Sequence, residues 1–89
     1  MEYIRKDQTK IEFTTILEDK EKATTFRHFK GHEYKIITIA KDSDNLKEIV
    51  VYQAQYGEGQ CWTREIEEFF SKTDKTKYPD AQEYRFEKI

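Results

Sequence analysis

Two runs rich in β-branched and aromatic residues, YKIITIA at residues 34–40 and EIVVYQAQY at 48–56, flank a short polar connection beginning KDSDN. Branching at Cβ stiffens a side chain against a helical turn and suits a pleated surface, so the pair predicts a β-hairpin. A period of two puts Val50, Tyr52, Ala54 and Tyr56 on one face and Ile49, Val51, Gln53 and Gln55 on the other. The second face starts dry and ends wet. The chain has 89 residues, enough for one compact domain and no second of typical size, so any function belongs to one small surface.

The three glycines and one proline mark the remaining divisions. Gly31 permits a tight turn after Phe26 and Phe29, and the Gly57-Glu58-Gly59 turn leads into a third strand over residues 60–64. In that strand Trp62 and Arg64 share a face opposite Cys61 and Thr63. Ile66, Phe69 and Phe70 then fall at i, i+3 and i+4 behind acidic residues, which predicts one or two helical turns. The polar KTDKTKYPD stretch (residues 72–80) reads as a loop, and EYRFEKI (residues 83–89) alternates as an edge strand. Residues 1–24 are an N-terminal extension in which Ile11, Phe13 and Thr15 share one side of an expected strand over residues 11–17, although Phe13, Ile16 and Leu17 also suit a helical face. An exposed connection follows at residues 18–25.

Apolar residues make up 36% of the chain and charged ones 38%, a balance that points to disorder unless the apolar part is concentrated. Aromatics, at 15%, supply that concentration, since each buries roughly 150–250 Å². Sixteen Lys and Arg against eighteen Asp and Glu give a net charge of −2, with no field strong enough to hold a long polyanion. Cys61 is the single cysteine; it excludes an intrachain disulfide or a thiolate zinc cluster and is expected as a buried structural thiol in a reducing compartment. Neither a signal-peptide core nor a run of roughly 18 apolar residues is present, so a soluble cytoplasmic protein is expected.

Catalytic and metal chemistry find little support. His28 and His32 stand four apart beside Glu33, but Gly31 between them argues against the helix that would align two imidazoles on a metal. Ser43 and Ser71 are the only serines, and neither sits in a nucleophile elbow. Gly57-Glu58-Gly59 lacks the Lys-Ser/Thr ending of phosphate loops, and Glu58 repels anions. More informative is the recurrence of cations, amides and amphipathic rings near strand ends: Arg27, His28, Lys30, Tyr34, Tyr52, Gln53, Tyr56, Trp62 and Arg64. Such groups stack on and hydrogen-bond a planar or anionic ligand, although Tyr and Trp are also ordinary core residues. An arginine in phase with a tryptophan must reach the rim, pair with a carboxylate such as Glu33 or Glu68, or bind a ligand.

The order Phe26-Arg27-His28-Phe29-Lys30-Gly31, Tyr34, Ala40, the 41–46 connection, Val50-Val51-Tyr52, Tyr56-Gly57, Trp62, Arg64, Phe69 or Phe70, and Arg85-Phe86 resembles the bacterial domain of unknown function 1653 family. The resemblance covers residues 25–87. Glu65 stands where that family usually has proline, and the first 24 residues lie outside its pattern. It implies a mainly β architecture, a small SH3-like β-barrel of about five strands over residues 25–89 with one short helix after Trp62 and Arg64, and transfers no activity. The motif positions Arg27, His28, Lys30, Tyr34, Tyr52, Trp62 and Arg64 are the candidate ligand-binding residues. The function expected is a non-catalytic binding module for a small planar or anionic ligand, a peptide or a nucleic-acid segment, with no cofactor, metal or membrane partner. The alternatives are an interaction or homo-oligomer-forming domain acting through an edge strand (residues 83–89 or 11–17), and an enzyme using His28 as general acid or base.

Overall fold

The computed structural model describes residues 2–12 and 25–89. The elements in chain order are β1 (Glu2–Ile4), β2 (Lys10–Glu12), β3 (Thr25–His28), β4 (Glu33–Lys41), β5 (Glu48–Ala54), β6 (Cys61–Glu65), α1 (Ile66–Phe69) and β7 (Phe86–Lys88). Strands β6-β5-β4-β3-β7 form one antiparallel sheet in that spatial order, and β1 and β2 form a separate hairpin.

The predicted β4–β5 hairpin is the longest pairing, running from Tyr34 opposite Ala54 to Lys41 opposite Glu48. Its connection is held by carboxyl and amide side chains that take over backbone donors. The Asp42 carboxylate accepts from the Asp44 N–H at 2.8 Å, and the Asn45 side-chain oxygen accepts from the Lys47 N–H at 2.9 Å. A register shift between Ile36 and Thr38 makes Ile37 an extra residue on β4 and leaves it exposed, the expected result of a bulge. On β5 the period of two holds: Val50, Tyr52 and Ala54 are buried while the alternate residues are only partly covered.

The core consists largely of rings. Phe26, Ile36, Val50, Tyr52, Ile66, Phe69, Phe70 and Phe86 form one buried cluster. Phe69 stacks on Phe86 with centroids 4.0 Å apart and meets Tyr52 and Phe26 edge-on at 5.2 and 5.7 Å. Offset and edge-to-face arrangements bring the negative face of one ring to the positive edge of the next. Helix α1 follows β6 without a connecting loop, and its buried Ile66 and Phe69 seal the sheet. Glu67 and Glu68 occupy its first turn, where carboxylates complement the unpaired N–H groups.

The structure is therefore mainly β with one short helix, as expected, but the barrel is not closed. Among the described residues β6 and β7 are opposite edges of an open sheet. The physical reason lies in the handover at Glu65: the chain turns into α1, so Ile66, Phe69 and Phe70 cover the core face where a closing strand would run. Of the edge strand expected over residues 83–89, Phe86–Lys88 form β7, with His28 opposite Phe86 and Phe26 opposite Lys88.

In the N-terminal extension, β2 takes up Ile11 and Glu12 from the expected 11–17 strand; residues 13–17 and residues 18–24 of the expected 18–25 connection lie outside the described residues, while Thr25 belongs to β3 instead. The β1–β2 hairpin docks on the sheet through Tyr3, stacked on Phe70 at 5.6 Å, and Arg5, whose Nε donates to the Phe70 carbonyl at 3.0 Å. The Arg5 guanidinium also lies 3.7 Å over the Tyr84 ring. Among the described residues no helix is long and apolar enough to cross a membrane.

Candidate functional site

Strand register sorts the candidate residues by face. Phe26 opposes Tyr34, Ile36 opposes Tyr52, Tyr52 opposes Trp62, Val50 opposes Arg64, and His28 opposes Phe86. Alternation therefore places His28, Tyr34, Tyr52, Trp62 and Arg64 on the core face of the sheet. Arg27 points to the other face, where it pairs with Glu33 at 3.7 Å with both side chains about half exposed.

Tyr52 is a core residue whose hydroxyl accepts from Arg64 Nε at 3.3 Å. Tyr34 packs edge-on against it at 5.4 Å, and its hydroxyl meets that of Tyr56 at 2.9 Å. Burial, together with that hydrogen bond, pushes the Tyr34 phenol up to about 12. Arg64 also pairs with Glu68, four residues on at the start of the helix, one of the carboxylates the sequence offered. Trp62 is on the core face of edge strand β6 yet 51% exposed. Cys61, expected to be buried, is exposed on β6, because Trp62 and Arg64 take the inward positions and alternation turns its thiol out.

Of these candidates, His28, Lys30 and Arg64 converge on one cleft of about 420 Å³, which they line together with Phe29, Thr73, Asp74, Lys77, Tyr78 and Arg85. Its walls come from the β3–β4 turn, β6, the loop after α1 and the residue just before β7. The loop is folded back by Asp74, whose carboxylate accepts from the N–H groups of Thr76 and Lys77 at 3.0 and 3.4 Å. That turn sets Tyr78 against Phe29, with centroids 4.8 Å apart. The loop is tied to the sheet by the Thr73 N–H to the Glu83 carbonyl at 2.8 Å and the Arg85 N–H to the Ser71 carbonyl at 2.9 Å.

The cleft is strongly cationic. Lys30, Arg64, Lys77 and Arg85 line it against one carboxylate, Asp74, and among the described residues only Arg64 has a carboxylate partner, Glu68. Arg85 Nε instead donates to the Ser71 hydroxyl at 3.3 Å, and Lys30 Nζ lies 5.9 and 6.0 Å from the Phe29 and Tyr78 ring centroids. His28 is affected by the same field. Burial first, then the charges of Arg85, Arg64, Lys30 and His32, hold its imidazole down to about 4. Its Nδ1 accepts from the Lys30 N–H at 3.1 Å, so in the neutral ring the proton sits on Nε2.

Thr73, 6% exposed, lies in the wall of this cleft, and its Oγ1 is the one buried side-chain polar atom without a hydrogen-bond partner among the described residues. An orphaned buried hydroxyl costs about 1–3 kcal/mol. Thr73 and Lys77 escape a reading of the sequence because they lie in a polar stretch, and Arg85, though part of the family pattern, was not among the candidate ligand-binding residues. The lysines of KTDKTK, together with the turn-forming Asp74, were the available signal.

Two larger clefts are less suited to a charged ligand. One of about 640 Å³ beneath the β1–β2 hairpin sets Arg5, Lys6 and Lys72 against Asp7, Glu65, Glu67 and Glu68, and Arg5 is already held by Phe70 and Tyr84. The other, of about 550 Å³, has Glu2, Glu48, Glu65 and Glu67 around the single cation Lys47. Among the described residues no three His, Cys, Asp or Glu side chains are grouped to hold a metal ion. His32 stacks on Tyr56 at 4.2 Å while His28 packs on Phe86 at 4.8 Å, so the two imidazoles have separate partners.

No curated protein and no solved structure matches the chain. The family model described as protein of unknown function (DUF1653) matches residues 24–88, which span the whole five-stranded sheet and every residue lining the cationic cleft, and the chain belongs to that family.

Proposed function

We propose that the domain is a non-catalytic binding module that holds a small anionic ligand in the cleft between the β3–β4 turn and the 72–80 loop. The observation that supports this reading is the convergence of Lys30, Arg64, Lys77 and Arg85, from four separate segments, on one cleft. Like charges that outnumber the carboxylates beside them repel one another, and an anion that binds them relieves that repulsion in a partly desolvated site. A general acid–base role for His28 fits poorly: its pKa near 4 is far from neutrality and its Nδ1 is engaged by the Lys30 N–H,. The rings of Phe29 and Tyr78 offer an apolar wall for the organic part of a ligand.

Isothermal titration with a panel of small anions tests this reading. Heat of binding is expected from the intact chain, with affinity lowered at least tenfold in Arg85→Ala and in Lys77→Gln while the circular dichroism spectrum is unchanged. Equal affinities in the intact chain and both variants would remove the cleft from consideration.

The open edge of β6 favours a second reading, an interaction domain that extends its sheet with a strand of another chain.

A further inference from the structure

We propose that the group bound in the cationic cleft is a phosphate dianion, either free or as the terminal group of a phosphomonoester. This rests on the anion-binding reading above and narrows it to one chemical group.

The first argument is the polarity of the lining. Lys30, Lys77 and Arg85 are donors only, and the His28 tautomer set by the Lys30 N–H presents Nε2–H, a further donor. The one carboxylate in the lining, Asp74, has an oxygen committed to the N–H groups of Thr76 and Lys77. A ligand suited to this surface is rich in acceptors. The three outer oxygens of a fully ionised phosphate supply acceptors in several directions. They suit donors that arrive from the β3–β4 turn, the 73–78 loop and Arg85.

The second argument is charge. Glu68 takes up Arg64, and Asp74 offsets one of the three remaining cations. Two positive charges stay uncompensated, which a dianion neutralises and a carboxylate leaves half met. The volume of about 420 Å³ holds a phosphate with a short organic substituent.

Titration calorimetry of the full chain with inorganic phosphate, glycerol 3-phosphate, sulfate and acetate at pH 5.0 and 7.5 tests the inference. A phosphomonoester loses its second proton near pH 6, so the affinity of glycerol 3-phosphate is expected to rise about tenfold between the two conditions, and that of inorganic phosphate, which keeps its second proton to a higher pH, by more. Sulfate, a dianion at both, is expected to bind with little change, and acetate at least tenfold more weakly than phosphate at pH 7.5. Tighter binding of glycerol 3-phosphate than of phosphate identifies an ester as the ligand, and the reverse identifies the free anion. Acetate binding as tightly as phosphate, or phosphate affinity flat between the two pH values, would overturn the dianion while leaving an anion site. No binding by any of the four would overturn both readings. Lys77→Gln, an exposed position that leaves the core intact, is expected to weaken phosphate more than acetate.

Discussion

At Thr73 a threonine sits where a valine would pack as well. Its backbone N–H is paired with Glu83, its side chain is enclosed, and its Oγ1 has no partner among the described residues. Such a hydroxyl lowers stability unless something else uses it. Thr73→Val should therefore raise the free energy of unfolding by about 1 kcal/mol in urea titration, because the desolvation penalty goes and the shape stays. A loss of stability would mean that the hydroxyl has a structural partner. His28 and Arg64 show the same principle from the charged side. Their positions on the core face follow from strand alternation, so His28 gives up its charge and Arg64 recruits both Tyr52 and Glu68.

Among the elements, the β1–β2 hairpin depends most on polar contacts. Asp7 accepts from Tyr84 and from the Thr9 N–H at 2.9 Å, and Lys72 lies 3.9 Å away. Hydrogen bonds from Thr9 and Tyr84 hold the Asp7 carboxyl well below the usual carboxylate range. A group whose folded pKa is depressed stabilises the fold above its unfolded pKa, near 4, and that contribution is lost as the pH falls further. Amide exchange in β1 and β2 should accordingly accelerate as the pH drops below about 4, relative to β4 and β5. Asp7→Asn should show the faster exchange already at neutral pH. An unchanged pattern would mean that Tyr3 and Arg5 hold the hairpin alone. The long hairpin β4–β5 contrasts with this one. Its period, its β-branched content and its Asp42 and Asn45 turn were all legible, because each is a local property that no later contact reverses. The length of α1 was less so, since Phe70 belongs to the apolar stripe but lies beyond the last helical residue.

At the scale of the whole molecule the sheet is open, and an open sheet exposes unpaired backbone groups. Both edges are short: β6 has five residues and β7 three. Charged side chains punctuate them, with Lys47 pairing to Glu65 at 3.7 Å beside β6. Short, charged edges resist pairing with another chain, so light scattering should find a monomer at about 100 μM. A dimer disrupted by Thr63→Pro, which removes a backbone donor from β6, would instead favour the interaction-domain reading. The resemblance to a five-stranded barrel described the strand content but not the closure. Closure depends on whether first and last strands meet, and α1 occupies that space. Periodicity and residue type alone were sufficient for the main strands, their faces and the aromatic core, because alternation along a strand is set by bonds between neighbours. The meeting of Lys30, Arg64, Lys77 and Arg85 around Thr73 belongs to the tertiary structure. It depends on the β3–β7 register and on a loop folded back by Asp74, which bring together residues that no local pattern connects.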